Sequence, residues 1–131
     1  MNSMADLPTG EVRAYCDLHR RCSSLKAMTG ESKGRVVAKP TQVVLRDVRF
    51  EVSQAGLRRT RAGKTRNVHA YARGYVQDQD VESVRNHPDC IQVRYNPHLF
   101  DTFVRADTQE PITAAQVFAI DGKKSFAIGV S

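Results

Sequence analysis

Residues 57–76, LRRTRAGKTRNVHAYARGYV, combine the densest positive charge of the chain with its clearest strand pattern. Five of the nine residues from Arg58 to Arg66 are Lys or Arg, namely Arg58, Arg59, Arg61, Lys64 and Arg66. This run has no apolar periodicity and contains Gly63, so it predicts a basic loop between two strands.

The residues after this loop alternate strictly, as the side chains of an extended strand do. One side of the strand is small and apolar: Val68, Ala70, Ala72, Gly74 and Val76. The other side is aromatic and basic: His69, Tyr71, Arg73 and Tyr75. Small residues permit close packing in a core, so we expect the aromatic and basic side to face solvent.

The aromatic and basic side has the chemistry of a nucleic-acid contact. Exposed rings at alternate strand positions stack on bases, while nearby cations contact phosphates. The basic loop suits phosphates as well, because Arg forms bidentate hydrogen bonds with them. Arg94 and Arg105 are candidate extensions of the same surface. The competing interpretation is structural, since tyrosines often pack with only the hydroxyl in water and a charged loop keeps a protein soluble.

Residues 41–131 predict an antiparallel β domain. In its first strand, Val43 and Leu45 share one parity, whereas Val48 and Phe50 share the other. A shift of one residue moves side chains to the opposite face of a sheet. A bulge or bend near residues 46–47 is therefore required if both pairs are to reach the core.

Local signals mark other elements of this domain. Asp80 is suited to cap a short helix that begins at Val81, and Pro88 stops it. Asp121-Gly122, between two runs rich in β-forming residues, is a strong signal for a hairpin turn.

Residues 1–30 predict a leader followed by an amphipathic helix. The apolar residues Val12, Tyr15, Leu18, Cys22 and Leu25 recur at spacings of three and four. Residues 31–40 read as a basic linker. The predicted fold class is α+β, with this helix attached to a bent antiparallel sheet or small open β-barrel of about six or seven strands.

The composition favours a soluble, cytoplasmic protein with anionic partners. The chain has 131 residues and a formal net charge of +6, which favours phosphate-bearing or acidic ligands. No window is long and apolar enough to span a membrane, and the first residues do not form a signal peptide. The odd number of cysteines, three, predicts free thiols.

The sequence contains no recognisable catalytic motif, so we predict a protein that is not an enzyme. It lacks G-x-S-x-G, a Walker loop and H-E-x-x-H. Cys16, His19, Cys22, His87 and Cys90 are candidate metal ligands, but a helical C-x2-H-x2-C spreads its side chains too widely for a tetrahedral site. We therefore predict no metal and no cofactor.

Residues 91–117 contain a strand ending in Tyr95-Asn96-Pro97, then a second strand, an acidic turn and a third strand. This pattern resembles the small β-barrel at the C-terminal end of Mu-type transposase cores. The matching residues are Val93, Arg94, Tyr95, Asn96, Pro97, Val104, Asp107, Ile112 and Ala115. The usual turn glycine is replaced by Thr108-Gln109-Glu110. The resemblance implies a small barrel with a basic, non-catalytic surface that is accessory to DNA binding, and in size and charge the chain also resembles small bacteriophage proteins.

Taken together, these features predict a non-enzymatic protein that binds DNA or RNA through the basic loop and the aromatic strand face. The alternative is a phage-encoded protein-binding accessory, either an inhibitor of a host or defence complex or an assembly component. In that case the contact surface is the helix stripe Tyr15, Leu18, Cys22 and Leu25, together with the basic surface. The sequence does not separate DNA from RNA, and it leaves an oligomer open.

Overall fold

A computed structural model describes residues 10–16, 23–29, 33–38, 40–52, 58, 70–96, 102–122 and 124–131. These residues contain nine strands and one short helix. The strands are β1 (Glu11–Cys16), β2 (Ser23–Ala27), β3 (Val36–Ala38), β4 (Gln42–Val52), β5 (Ala70–Val76), β6 (Ile91–Asn96), β7 (Thr102–Arg105), β8 (Ala114–Asp121) and β9 (Lys124–Val130). The helix, α1 (Val81–Arg85), lies between β5 and β6. All nine strands form one sheet in the order β3-β2-β1-β5-β4-β8-β9-β6-β7, and every pairing is antiparallel.

The predicted N-terminal amphipathic helix is wrong, and the α+β fold class fails with it. Its described residues form β1 and β2, which pair with each other. Among the side chains that are described, those buried are Val12 and Ala14 in β1 and Leu25 and Ala27 in β2, so each strand follows a period of two. The residues spaced by three and four positions come from both strands and from the segment between them. Their helical spacing is therefore a coincidence.

The sheet is larger than the predicted six or seven strands. Strand β3 pairs with β2, and β1 pairs with β5. Residues from the stretch expected to be helix and linker therefore extend the same sheet that contains the later strands.

The predicted bulge in β4 is confirmed. The register between β4 and β5 shifts between Arg46 and Arg49, and Asp47 has a φ of 52°. This positive φ marks the extra residue of the bulge. The shift lets side chains from both halves of the strand reach the main core, which contains Val43, Leu45, Val48 and Phe50.

Three phenylalanines form the centre of the main core. The ring centroid of Phe50 lies 4.8 Å from that of Phe103 and 5.0 Å from that of Phe118. Strand β7, which carries Phe103, is four places from β4 in the sheet. The sheet must therefore curl so that its last strand packs against its middle, and buried aromatic pairs of this kind contribute about 0.5–1.5 kcal/mol beyond their buried area.

Helix α1 covers part of the opposite, outer face of the sheet. Asp80 caps it by accepting a hydrogen bond from the backbone N–H of Glu82 at 3.2 Å, as the sequence predicts. Val81 and Val84 pack on Val44 and Ala119, so the helix lies over β4 and β8. Within the described residues, no helix is long and apolar enough to cross a membrane.

The hairpin predicted at Asp121-Gly122 joins β8 to β9 and is confirmed. Asp121 pairs with Lys124, and Gly122 has a φ of 61°, which a glycine adopts without a steric penalty. The Arg85 guanidinium of α1 lies 3.3 Å from the Asp121 carboxylate, so the helix and the hairpin are joined at this end of the sheet.

Replacing Gly74 by Ala is expected to destabilise the protein. A Cβ at position 74 meets the backbone oxygen of Arg46 at 2.7 Å and the side chain of Val48 at 3.0 Å. The bulge leaves no room for it, so we expect the free energy of unfolding in urea to fall by about 1–3 kcal/mol.

Asp47→Gly is the matched control, because glycine adopts a positive φ readily. We expect its unfolding midpoint to equal that of the wild type or to rise slightly. A Gly74→Ala protein as stable as the wild type would contradict the close approach of the bulge to β5.

Candidate nucleic-acid interface

A row of basic side chains crosses the outer face of the sheet. Arg13 on β1 lies directly opposite Lys26 on β2 and Arg73 on β5. Arg73 in turn lies opposite Arg49 on β4. Adjacent strands are about 4.8 Å apart, so these four residues, the basic row, extend over roughly 14 Å. Their neighbours along the strands, including Val12, Leu25, Ala72 and Val48, are buried on the core side.

Tyrosines border the basic row on both sides. On one side, Tyr75 is half-buried, and the Arg46 guanidinium lies over its ring at 4.8 Å from the centroid. On the other side, the rings of Tyr15 and Tyr71 pack at 5.4 Å between centroids. The face therefore combines cations with aromatic rings, as the alternation of β5 predicts.

Tyr71, however, is not exposed, and the expectation that it faces solvent is wrong. Only 6% of its surface is accessible. The Arg13 guanidinium lies 4.5 Å from the centre of its ring, and the Tyr15 ring packs beside it. Burial raises the pKa of the Tyr71 phenol. Long side chains from β1 cover the ring, and the alternation within β5 carries no information about a neighbouring strand.

Two carboxylates hold Arg73 in the middle of the row. Its guanidinium lies 2.7 Å from the Glu11 carboxylate and 3.6 Å from that of Glu51. The hydrogen bond to Glu11 is the main cause that raises the pKa of Arg73. Glu51 Oε1 is buried without a hydrogen-bond partner, so its contact with Arg73 is an ion pair at longer range.

A surface cleft opens around this cluster. Its volume is about 380 Å³, and its lining residues are Glu11, Asp47, Arg49, Glu51, Arg73 and Tyr75. Arg49 is exposed, and neither it nor Lys26 has an acidic side chain within salt-bridge distance among the residues that the structure describes. Arg13 also lacks such a partner there, but its guanidinium lies against the Tyr71 ring and its Nε is buried. Arg49 and Lys26 are therefore the cations of the row that are more available to an anionic ligand.

The basic loop of the sequence analysis falls mostly outside the described residues. Arg58 is described and exposed. Arg59, Arg61, Lys64, Arg66 and His69 are not described. Val52 pairs with Ala70 at the end of the β4–β5 ladder. The two ends of the segment with the basic run therefore meet the sheet next to Tyr71.

Arg94 and Arg105 are not brought to this face. Arg94 is exposed on β6, three places from β4, and Arg105 lies on β7, one place further. Arg105 donates from Nε to the Asp107 carboxylate at 3.2 Å. That hydrogen bond lowers the pKa of Asp107.

The apolar stripe expected to bind a protein partner does not exist as one surface. Leu25 is fully buried in the main core, whereas Tyr15 lies on the outer face of the neighbouring strand. Leu18 and Cys22 lie outside the described residues.

The structure separates the described cysteine and histidine candidates for a metal site. Cys16 lies on β1, whereas His87 and Cys90 lie between α1 and β6. Among the described residues, no three His, Cys, Asp or Glu side chains are grouped closely enough to hold a metal ion.

Sequence reasoning missed Glu11, Arg13, Lys26, Arg46, Arg49 and Glu51 as members of this face. A signal was present, because EVRAYC at 11–16 and VRFEV at 48–52 alternate apolar with charged or aromatic residues. The longer helical pattern over 12–25 concealed the first of these alternations.

In comparisons with known proteins, the chain is similar to a phage protein. A family model described as the Mycobacterium phage L5 gene 82 protein matches residues 6–128. The Gene 82 protein of Mycobacterium phage L5 is 32% identical over 110 residues, which cover 79% of this chain and 84% of that protein. No solved structure matches. These comparisons do not show the resemblance to Mu-type transposases.

The two tyrosines of β5 are expected to differ in their contribution to stability. Tyr71→Ala removes a buried ring and should lower the free energy of unfolding by about 3 kcal/mol. Tyr75→Ala removes a half-buried ring and should cost about 1 kcal/mol or less.

Urea denaturation of both variants, followed by circular dichroism, measures this difference. Tyr71→Phe is the control, since it keeps the ring and its contact with Arg13. Equal losses for Tyr71→Ala and Tyr75→Ala would contradict the burial of Tyr71.

Proposed function

This chain belongs to the Mycobacterium phage L5 gene 82 protein family, and we propose that it is a non-enzymatic phage protein that binds nucleic acid. The contact surface is the outer face of β2, β1, β5 and β4. The observation that carries this proposal is the basic row, which aligns four cations on four adjacent strands.

Without a ligand, the basic row lowers the stability of the sheet. Like charges directly opposite each other on adjacent strands destabilise a sheet. The nearby carboxylates Glu11 and Glu51 bind Arg73 and offset part of this repulsion, but they leave Arg13, Arg49 and Lys26 without a described acidic partner. An anionic ligand removes the repulsion that remains, and this supports a function in phosphate binding.

The row also has the spacing and chemistry for a chain of phosphates. Arg donates two parallel hydrogen bonds to one phosphate group, and Lys acts as a point charge. Four cations over roughly 14 Å present a track instead of a single anion site. Each neutralised phosphate releases condensed counterions, so the affinity depends steeply on salt concentration.

The neighbouring basic segment extends this track in sequence. It begins after Val52 and ends before Ala70, which pair at the edge of the same face. Arg58, its described residue, is exposed. The cations of the segment contribute to the net charge of +6, which favours a polyanionic ligand.

The protein-binding alternative loses the surface from which it was inferred. Leu25 belongs to the main core and is inaccessible to a partner. A phage or host protein partner stays a prediction that no described surface favours over nucleic acid.

Removing the two available cations of the row is expected to weaken binding. In the Lys26→Ala/Arg49→Ala protein, the affinity for a fluorescently labelled oligonucleotide should fall by about tenfold at 50 mM NaCl, and the slope of log K against log [NaCl] should decrease by about 1.5. Anisotropy titrations from 50 to 200 mM NaCl measure both quantities.

The charge-matched control is Lys123→Ala/Lys124→Ala. Lys124 is exposed and lies beside Asp121, which pairs with Gln42 at the opposite end of β4 from Arg49. We expect this control to lose less than half as much affinity. Equal losses in the two proteins would contradict a specific role of the basic row.

Neutralising Glu51 is expected to strengthen binding. Its carboxylate lies beside Arg73 and repels a phosphate on the row, and at about 7 Å in water this repulsion amounts to about 0.6 kcal/mol. Glu51→Gln should therefore raise the affinity about twofold to threefold at 50 mM NaCl, and salt should reduce the gain.

Glu82→Gln is the control for this gain, because Glu82 is exposed on α1, away from the basic row. It should leave the affinity almost unchanged. A loss of affinity in Glu51→Gln would indicate that the carboxylate organises Arg73 for binding and does not compete with the ligand.

A further inference from the structure

We infer that the ligand of this face is single-stranded nucleic acid, whose backbone follows the basic row across the strands while its bases stack on the rings that border the row. The inference rests on the proposed function and names its substrate class. The aromatic rings and the shape of the face carry it.

The rings lie where the bases of a strand on the row would lie. Residues two apart on a strand are separated by about 7 Å, and Tyr75 is two residues from Arg73 on β5, whereas Tyr15 is two residues from Arg13 on β1. The two strands are antiparallel, so the rings lie on opposite sides of the row. A backbone along the row can direct bases to either side and reach one ring on each.

Both rings are held in place before a ligand binds. Tyr15 packs on the buried Tyr71 ring at 5.4 Å, and Tyr75 is covered by the Arg46 guanidinium at 4.8 Å. The Arg46 Nη1 donates to the Asp47 carboxylate at 2.7 Å, which fixes the guanidinium, and the Arg46 side chain is 48% exposed, so part of its surface is open to solvent. Bases stack on guanidinium planes as well as on aromatic rings, so each side of the row offers a prepared stacking surface.

A duplex does not use these features. Its bases are stacked on one another, so their faces are unavailable to the tyrosines, and its sequence is read by a helix or β-ribbon that enters a groove. The described face instead has a cleft of about 380 Å³ within the row, lined by Arg49, Arg73 and Tyr75 together with the carboxylates of Glu11, Asp47 and Glu51. The five-residue helix α1 is packed on the sheet through Val81 and Val84 and does not project.

Three oligonucleotides of equal length test the inference by anisotropy at 50 mM NaCl. They are a single strand, the same strand annealed to its complement, and a strand in which the bases are replaced by abasic spacers. Stacking of one base contributes about 1–3 kcal/mol, so we expect the single strand to bind at least tenfold more tightly than the abasic strand, and also more tightly than the duplex.

Tyr75→Leu separates stacking from charge. It should weaken binding of the single strand by about tenfold and leave binding of the abasic strand unchanged, whereas Tyr75→Phe should keep both affinities. Circular dichroism checks that each variant is folded, and Tyr15→Leu provides the same test on the other side of the row.

The outcomes distinguish this inference from the proposed function. Equal affinity for the single strand and the abasic strand, or tighter binding of the duplex, would overturn the inference and leave nucleic-acid binding intact. Absence of binding to all three oligonucleotides at 50 mM NaCl would overturn both.

Discussion

The pairing of β5 with β1 on one side and β4 on the other is the constraint on which the rest of the structure depends. Strands β1, β2 and β3 join the remainder of the sheet through β5. The bulge at Asp47 adjusts β4 to this pairing, and Gly74 provides the space that the bulge occupies. Without this junction, neither the main core nor the outer face is continuous.

The same pairing creates the candidate interface. The register that brings Arg73 between Arg13 and Arg49 also brings Tyr71 beneath side chains of β1. Tyr71 is therefore buried beneath the side chains of this face, whereas Tyr75 borders the basic row. Helix α1 packs on the part of the outer face that β4, β8 and β9 form.

Features set by local sequence could be predicted, and features set by distant pairing could not. The bulge near Asp47, the cap at Asp80 and the turn at Asp121-Gly122 each depend on a few adjacent residues, and all three are found. The aromatic and basic side of β5 was found for the same reason. The predicted helix over 12–25 is wrong because its period was counted across the boundary between two strands, and such a period describes neither strand.

The candidate site illustrates the same limit. Lys26 and Arg49 belong to one row because of strand register, which no pattern within either strand encodes. The burial of Tyr71 likewise depends on a neighbour from another part of the chain. The chemistry of the face was therefore visible in the sequence, but most of its members were not.

The order of the strands also bears on how the protein reaches its native state. Strand β4 lies in the middle of the sheet, yet Gln42 pairs with Asp121, 79 residues later. Loops of this length must close before their contacts contribute stability, and such topologies fold slowly. During synthesis, the backbone groups of β4 that pair with β8 therefore stay unpaired until β8 has left the ribosome. Charged side chains on an exposed strand hinder its association with other chains, and β4 carries the exposed Arg46 and Arg49.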